Sequence, residues 1–210
     1  MKELDLLKKD WQKNTDSFEQ VSEIEIYKMI HKKSSSIVKW ILIISIMEVM
    51  LWTALSVCFN SDDYLTKMNH AELIRYFNLL SYFHYGVILV FIYLFYKNYV
   101  TISATVSTKQ LMKDILKTRK TIQYYVWYNL GMIILSSFIA FYISFAYSPE
   151  MSILRDKIAN NGKIMLITAG VLIFTIAVFF GIFWLFYRLL YGVLLRRLYA
   201  NYKELKKIDF

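Results

Sequence analysis

The chain has 210 residues, of which 57% are hydrophobic and 20% charged, and its formal net charge is +9. Its single cysteine, Cys58, excludes an internal disulfide and a thiolate metal site. A basic balance can indicate nucleic-acid binding. Here the charges alternate with long apolar runs, which is typical of a membrane protein whose basic loops set its orientation and contact anionic headgroups. We therefore expect no nucleic-acid partner.

Four apolar segments of membrane-span length hold most of the hydrophobic residues, at about 40–59, 79–96, 124–147 and 164–187. The last contains 24 residues without a charge. As a helix it is roughly 36 Å long, which exceeds a hydrocarbon core of about 30 Å. The predicted fold class is therefore all-α, a polytopic membrane protein with four transmembrane helices and cytoplasmic helical extensions.

The basic residues predict the orientation of these spans. Of the 25 Lys and Arg residues, 20 lie in the N-terminal arm, the middle loop and the C-terminal tail, and 5 lie in the two other loops. The positive-inside rule then places both termini in the cytoplasm of a multi-pass inner-membrane protein. The predicted domains are a cytoplasmic amphipathic arm 1–36, a transmembrane domain 37–187 and a basic cytoplasmic helix 188–210. Within the transmembrane domain, the spans are predicted at about 37–59, 78–100, 124–147 and 164–187, and a cytoplasmic helical hairpin at 97–123.

The N-terminal arm contains two helix signals. Leu4, Leu7 and Trp11 share one face of a short amphipathic helix, which suits lipid headgroups and protein docking equally. A second helix is predicted to begin at Ser22, because Ser22 and Glu25 have capping-box spacing. His31, which lies among lysines on this helix, is interpreted as a solvated surface residue.

Glu48 is the one acidic residue inside a predicted span, near mid-membrane. A carboxylate there costs roughly 2.5 kcal/mol or more, so we expect it to be protonated or paired within the bundle. Ser45, Trp52 and Ser56 lie on or near its face. His84, in the second span, is predicted about one helical turn outward of Glu48. Two interpretations remain open, a neutral acid bonded to hydroxyls of neighbouring helices and a proton or cation relay.

Capping signals also delimit the later helices. Asn69 is predicted to cap the helix of the second span, with His70 as a surface residue after it, and Ser107 with Gln110 has capping-box spacing. From Ser107 the helical pattern continues to about residue 147. Between the third and fourth spans, Ser148 to Glu150 predicts a helix start and Asn160 to Gly162 a helix stop.

Apolar and basic stripes follow the third helix and the C-terminal helix. Leu111, Ile115 and Ile122 are predicted to pack against the C-terminal seam, which consists of Tyr191, Leu195, Leu198, Tyr202 and Leu205. The exposed side is predicted to carry a basic interaction face, defined by Lys109, Lys113, Lys117, Lys120, Arg196 and Arg197. Small residues at four-residue spacing are predicted to pack helices inside the membrane: Ser136, Ala140, Ser144, Gly170, Ala177 and Gly181.

Two stretches carry a family resemblance, EIEIYKMIHKKSSSIVKWILIISIMEVMLW and TISATVSTKQLMKDILKTRKTIQYYVWYN. They resemble an uncharacterised family of small four-helix inner-membrane proteins of Bacteroidota. Members are sometimes labelled carotene monooxygenases, but carotene oxygenases resemble a soluble propeller that binds iron through four histidines, and this chain has three. The resemblance implies a location and no activity.

The sequence predicts no catalytic residue, metal ligand or cofactor. The three histidines have no ligand spacing on one helix. The leading hypothesis is a non-enzymatic membrane scaffold, accessory subunit or regulator that engages a cytoplasmic protein partner, or a second copy of itself, through the basic helices. The alternative is a small transporter or proton/ion-coupled sensor that uses Glu48. A membrane enzyme is the third hypothesis.

Overall fold

A computed structural model describes residues 22–58 and 71–208, which fold into helices. The helices are α1 (Glu23–Cys58), α2 (Ala71–Ala104), α3 (Thr108–Tyr147), α4 (Ser152–Asn160, preceded by a 3-10 turn at Pro149–Met151) and α5 (Gly162–Ile208). The predicted amphipathic helix of the arm, the Asn69 cap and His70 lie outside the described residues. The all-α prediction is confirmed for the part of the chain that the structure describes.

Two of the predicted helix starts have different outcomes. At α1 the capping box is formed, because the Ser22 amide donates to Glu25 Oε2 (3.1 Å) and the Glu25 amide donates to Ser22 Oγ (3.3 Å). Ser107 does precede α3, but its side chain makes no capping bond. The Gln110 amide instead donates to Asp114 Oδ1 (3.1 Å), so the predicted capping box is wrong there.

The four long helices form an antiparallel bundle. Helix α1 packs beside α2 and α5, and α3 packs beside the same two helices, so each helix runs opposite to both of its neighbours. The predicted boundaries at 36/37 and 187/188 fall inside α1 and α5, both of which continue without a break. Helix α3 also runs unbroken from Thr108 to Tyr147, as predicted.

The hydrophobic core lies at one end of this bundle. One cluster combines Ile30 and Val38 of α1, Ile102 of α2, Leu111 and Ile115 of α3, and Leu198 and Leu205 of α5. A second cluster follows it along the bundle, and consists of Ile41, Phe95, Ile122, Tyr125, Leu130, Tyr187 and Tyr191. We call this end the packed half. The predicted contact between the apolar stripe of α3 and the seam of α5 is confirmed, and α1 and α2 also take part in it.

The other end, which we call the open half, comprises residues 49–58, 74–87, 131–147 and 162–186. Few side chains are buried there, and the most apolar stretch of α5 contains no buried residue. All four long helices are long and apolar enough to cross a membrane. Hydrocarbon can cover apolar side chains that no protein covers, so this exposure is compatible with a membrane domain.

The packed half is closed by contacts between α1 and the turn after α2. His31 Nε2 lies 2.7 Å from the Ile102 carbonyl, and the Tyr27 hydroxyl donates to the Thr105 carbonyl (3.0 Å). The Ile102 carbonyl belongs to the last turn of α2 and the Thr105 carbonyl directly follows the helix, where backbone acceptors have no partner within the helix. His31 is half-buried and hydrogen-bonded to the Ile102 carbonyl, so the prediction that it is a solvated surface residue is wrong.

Helix α4 joins the C-terminal end of α3 to the N-terminal end of α5. The Arg155 guanidinium donates to the carbonyls of Phe145 and Ala146, the last turn of α3, where a cation also complements the helix dipole. The predicted helix start and stop are confirmed: the 3-10 turn begins at Pro149, and α4 ends at Asn160. The loop between the third and fourth spans is therefore an ordered helical connection.

Candidate functional site

Glu48 lies on the buried face of α1. Five buried residues precede it at steps of three or four: Ile30, Ser34, Val38, Ile41 and Ser45. This spacing is the repeat of a single helix face, so the helix carries the carboxylate into the bundle. The Glu48 side chain is only 4% exposed.

Three tyrosine hydroxyls donate to the Glu48 carboxylate. Tyr187 donates to Oε1 (2.5 Å), and Tyr125 and Tyr191 donate to Oε2 (2.9 and 2.8 Å). Tyr187 and Tyr191 share one face of α5 because they are four residues apart, and Tyr125 comes from α3. One carboxylate thus connects three helices. We call Glu48, Tyr125, Tyr187 and Tyr191 the glutamate–tyrosine cluster.

Helix α2 packs two aromatic rings against the cluster. Phe91 and Phe95 contact the Tyr125 ring edge to face, with centroids 5.5 and 5.3 Å away. Tyr125 and Tyr191 also meet edge to face at 5.7 Å. Such pairs contribute about 0.5–1.5 kcal/mol each beyond the area they bury. All four long helices therefore help to hold the carboxylate in an apolar environment.

The cluster can hold Glu48 with or without a proton. A tyrosine hydroxyl both donates and accepts, so a protonated carboxyl can donate to one tyrosine while the others donate to it. In the part of the chain that the structure describes, the carboxylate is bonded to hydroxyls and forms no ion pair with Lys, Arg or His. The geometry matches the sequence interpretation of an acid bonded to hydroxyls of neighbouring helices.

The tyrosine contacts also show where Glu48 lies along the axis of the bundle. Tyr125 is the second residue of the predicted third span, and Tyr187 is the last residue of the predicted fourth. Glu48 lies level with both, so the predicted mid-membrane depth does not fit all four spans. Hydropathy sets the bounds of each span separately and contains no information about how neighbouring helices are shifted along one another.

His84 and Ser45, the other polar candidates inside the spans, do not bond to Glu48. His84 Nδ1 lies 3.3 Å from the Tyr128 hydroxyl, and the two rings stack with centroids 5.7 Å apart. Tyr128 follows Tyr125 by three residues on α3, which agrees with the predicted offset of one turn. Ser45 shares the face of Glu48, but its hydroxyl donates to the Leu42 carbonyl (2.8 Å).

A cavity of about 470 Å³ lies next to the cluster, on the side of the open half. Tyr125 and Tyr187 contribute to its wall, and further side chains come from all four long helices. Among them are Trp52, Ser81, His84, Tyr85, Asn129 and Phe183. Its volume is within the range of about 300–1,000 Å³ that is common for small-molecule sites.

The basic interaction face lies on the outside of the packed half. All six of its residues are exposed, on α3 (Lys109, Lys113, Lys117, Lys120) and on α5 (Arg196, Arg197). The neighbouring Arg119 guanidinium lies over the Tyr199 ring, 4.5 Å from its centroid, and so bridges the two helices. Asp114 is buried beneath this face and accepts from Gln110, so this acid does not reach the surface.

The six small residues do not pack as predicted. Five are exposed and Ser144 is half-buried. A Cβ atom added at Gly170 or Gly181 would meet no atom within 4 Å. The prediction of packing inside the bundle is wrong for these positions, because the helices separate in the open half instead of approaching one another. Ser136 contributes to the cavity wall.

The sequence reasoning missed the three tyrosines of the cluster. The chain contains 17 tyrosines, and nothing in a single sequence distinguishes those that face Glu48. One signal was present: a buried carboxylate needs donors, and the seam already placed Tyr191 on the inner face of α5. Among the described residues, no three His, Cys, Asp or Glu side chains are close enough to hold a metal ion.

Comparison with known proteins gives one match. A family model described as a domain of unknown function (DUF8845) matches residues 24–210. No curated protein and no solved structure matches the chain.

Proposed function

The chain belongs to the DUF8845 family, and we propose that it is a non-enzymatic integral membrane scaffold, accessory subunit or regulator that engages an acidic surface of a partner protein through the basic interaction face. We place it in the bacterial inner membrane, as in the Bacteroidota proteins that it resembles, with the packed half and both termini in the cytoplasm. The division of basic residues, 20 against 5, supports this orientation.

One observation carries the proposal: the extensions of α3 and α5 bury their apolar sides and expose their basic sides. Leu111, Ile115, Leu198 and Leu205 are fully buried. The exposed lysines and arginines are therefore held on a rigid surface and are not needed to fold it. A like-charged surface of this kind attracts acidic partners and raises their rate of association.

The test is site-specific photocrosslinking in intact bacterial cells. A photoreactive residue at Leu116, which is 40% exposed between Lys113 and Lys117, should form a discrete crosslink to a protein. The double substitution Lys113→Glu and Lys117→Glu should abolish that crosslink. Lys163→Glu, an exposed position at the opposite end of α5, should leave it unchanged. If crosslinks form to lipid alone, the proposed protein partner is wrong, and the basic interaction face contacts anionic headgroups instead.

The glutamate–tyrosine cluster favours a second candidate, a small transporter or proton/ion-coupled sensor. The specific observation is that a buried carboxylate is hydrogen-bonded to two tyrosines that line a cavity. Proton flux into proteoliposomes should then be measurable with the native chain and lost with Glu48→Gln. Equal flux in both, or none in either, would contradict this candidate and leave the scaffold proposal unaffected.

A further inference from the structure

The cavity beside the glutamate–tyrosine cluster has aromatic walls. Trp52 of α1 and Phe183 of α5 both line it, and their ring centroids lie 5.7 Å apart. Tyr85 of α2 and the cluster residues Tyr125 and Tyr187 add three more rings. Aromatic faces carry partial negative charge, so several rings around one space form a favourable environment for a cation.

An acidic side chain lies behind the cavity wall, and His84 lies in the wall. Among the described residues that line it, none is Lys or Arg. Glu48 lies behind the wall, with its carboxylate bonded to the hydroxyls of Tyr125 and Tyr187. A tyrosine that donates to a carboxylate has a more electron-rich ring, which strengthens its attraction for a cation. A charge in a low-dielectric interior also acts over a longer distance than it does in water.

The remaining polar groups allow the ligand to be an organic ion instead of a bare metal ion. Ser81, His84, Asn129, Ser136 and Ser137 contribute polar atoms, and most of the lining is hydrocarbon. The hydroxyls of Ser136 and Ser137 donate to the Ile133 carbonyl of their own helix. A small metal ion needs several oxygen ligands within about 2.6 Å, and this wall does not concentrate them. A cation with apolar substituents instead matches both the aromatic walls and the acid behind them.

We infer that this cavity binds a small organic ammonium ion with an aromatic or alkyl substituent, held by the rings of Trp52, Phe183 and Tyr187 and balanced by the carboxylate of Glu48. The inference rests on the second candidate function, to which it adds a ligand class. It does not depend on the basic interaction face.

The test uses isothermal titration of the purified full-length chain in detergent. The probe is benzyltrimethylammonium, and benzenesulfonate is the comparison, because it has the same ring and the opposite charge. We expect binding of the ammonium compound only. Glu48→Gln and Trp52→Leu should each weaken it about tenfold, which corresponds to about 1.4 kcal/mol. Trp40→Leu is the matched control, since Trp40 also lies on α1 but is 56% exposed and does not line the cavity.

Three outcomes would overturn the inference: no binding of the ammonium compound, equal binding of the two compounds, or a Trp40→Leu effect as large as that of Trp52→Leu. If Glu48→Gln does not fold, Phe183→Leu replaces it as the second cavity variant. Failure to bind, together with Glu48-dependent proton flux in proteoliposomes, would reject this ligand and retain the coupled candidate.

Discussion

At the scale of single residues, the molecule depends most on Glu48. Its carboxylate accepts three hydroxyl hydrogen bonds, from Tyr125, Tyr187 and Tyr191. The cost of burying an acid is offset only while these partners are present, and each of the three tyrosine hydroxyls donates to Glu48. The four side chains therefore stabilise one another as a unit.

Substitutions at Glu48 should separate hydrogen bonding from charge. Glu48→Leu leaves three buried hydroxyls without their acceptor, at about 1–3 kcal/mol each, so we expect the free energy of unfolding to fall by about 3 kcal/mol or more. Glu48→Gln keeps an acceptor and adds a donor, so the loss should be below about 1 kcal/mol. Denaturant unfolding in detergent measures both. Glu204→Leu, on the exposed side of α5, is the control, and an equal loss there would contradict the prediction.

Removing a hydroxyl from a tyrosine of the cluster should lower the free energy of unfolding more than removing one from an exposed tyrosine. Tyr191→Phe removes one hydroxyl from Glu48 and leaves the ring, so we expect a loss of about 0.5–1.5 kcal/mol, the net contribution of a typical hydrogen bond. Tyr142→Phe, at a position that is 65% exposed, should change the unfolding free energy little. Equal losses would show that the carboxylate does not use the Tyr191 hydroxyl.

At the scale of helices, stability is concentrated where α3 and α5 meet α1 and α2. Leu198 is fully buried in a cluster that receives side chains from all four helices. The prediction from sequence involved only α3 and α5, so on that basis the loss of Leu198 would affect the C-terminal helix alone. The observed cluster implies a larger effect, since Leu198 also supports Ile30 and Ile102.

Truncation of Leu198 should therefore destabilise the whole packed half. Leu198→Ala removes a buried side chain and leaves a cavity, which costs about 2–5 kcal/mol. Leu189→Ala, on the same helix but at a position that is 63% exposed, should cost much less. The measurement is the midpoint of thermal unfolding in detergent. Similar shifts for the two variants would contradict the cluster.

A crosslink tests the contact between α3 and α5 directly. Cysteines at Ile115 and Leu198, in a Cys58→Ser background, should be joined by a short bis-maleimide linker, because both residues belong to one buried cluster. A cysteine pair at Lys109 and Leu189 is the control and should not be joined. If the first pair is joined only between two chains, the contact is intermolecular.

At the scale of the whole molecule, the four long helices pack closely at one end of the bundle and separate at the other. Both hydrophobic clusters, the glutamate–tyrosine cluster and the basic interaction face lie in or on the packed half. The open half has few buried side chains and contains most of the cavity wall. The protein leaves most of the apolar side chains of the open half to its surroundings.

The proposed orientation has its own test. In a Cys58→Ser background, a cysteine at Lys157 on α4 should react with an impermeant maleimide added to intact cells, since Lys157 is exposed. Cysteines at Lys113 and Lys206 should react only after the membrane is permeabilised. Labelling of Lys113 or Lys206 variants in intact cells would refute the proposed orientation.

The amino-acid sequence alone determined the class of the molecule and the course of its helices. Apolar runs of span length, the Ser22 capping box and the residues around Pro149 and Asn160 are local signals, and the structure agrees with each of them. The inward face of α5 was also predictable, because helical periodicity depends only on spacing along the chain. The partners of an inward-facing side chain are not a local property.

Only the tertiary structure decided which side chains meet and at what level. The shift of α1 relative to α3 and α5 brings Glu48 to Tyr125 and Tyr187, and the end of α2 brings carbonyls to His31. The separation of the helices in the open half leaves Gly170 and Gly181 without the packing that their spacing indicated. Each of these outcomes depends on how whole helices fit together, since a register shift of one turn replaces every contact while it changes no local pattern.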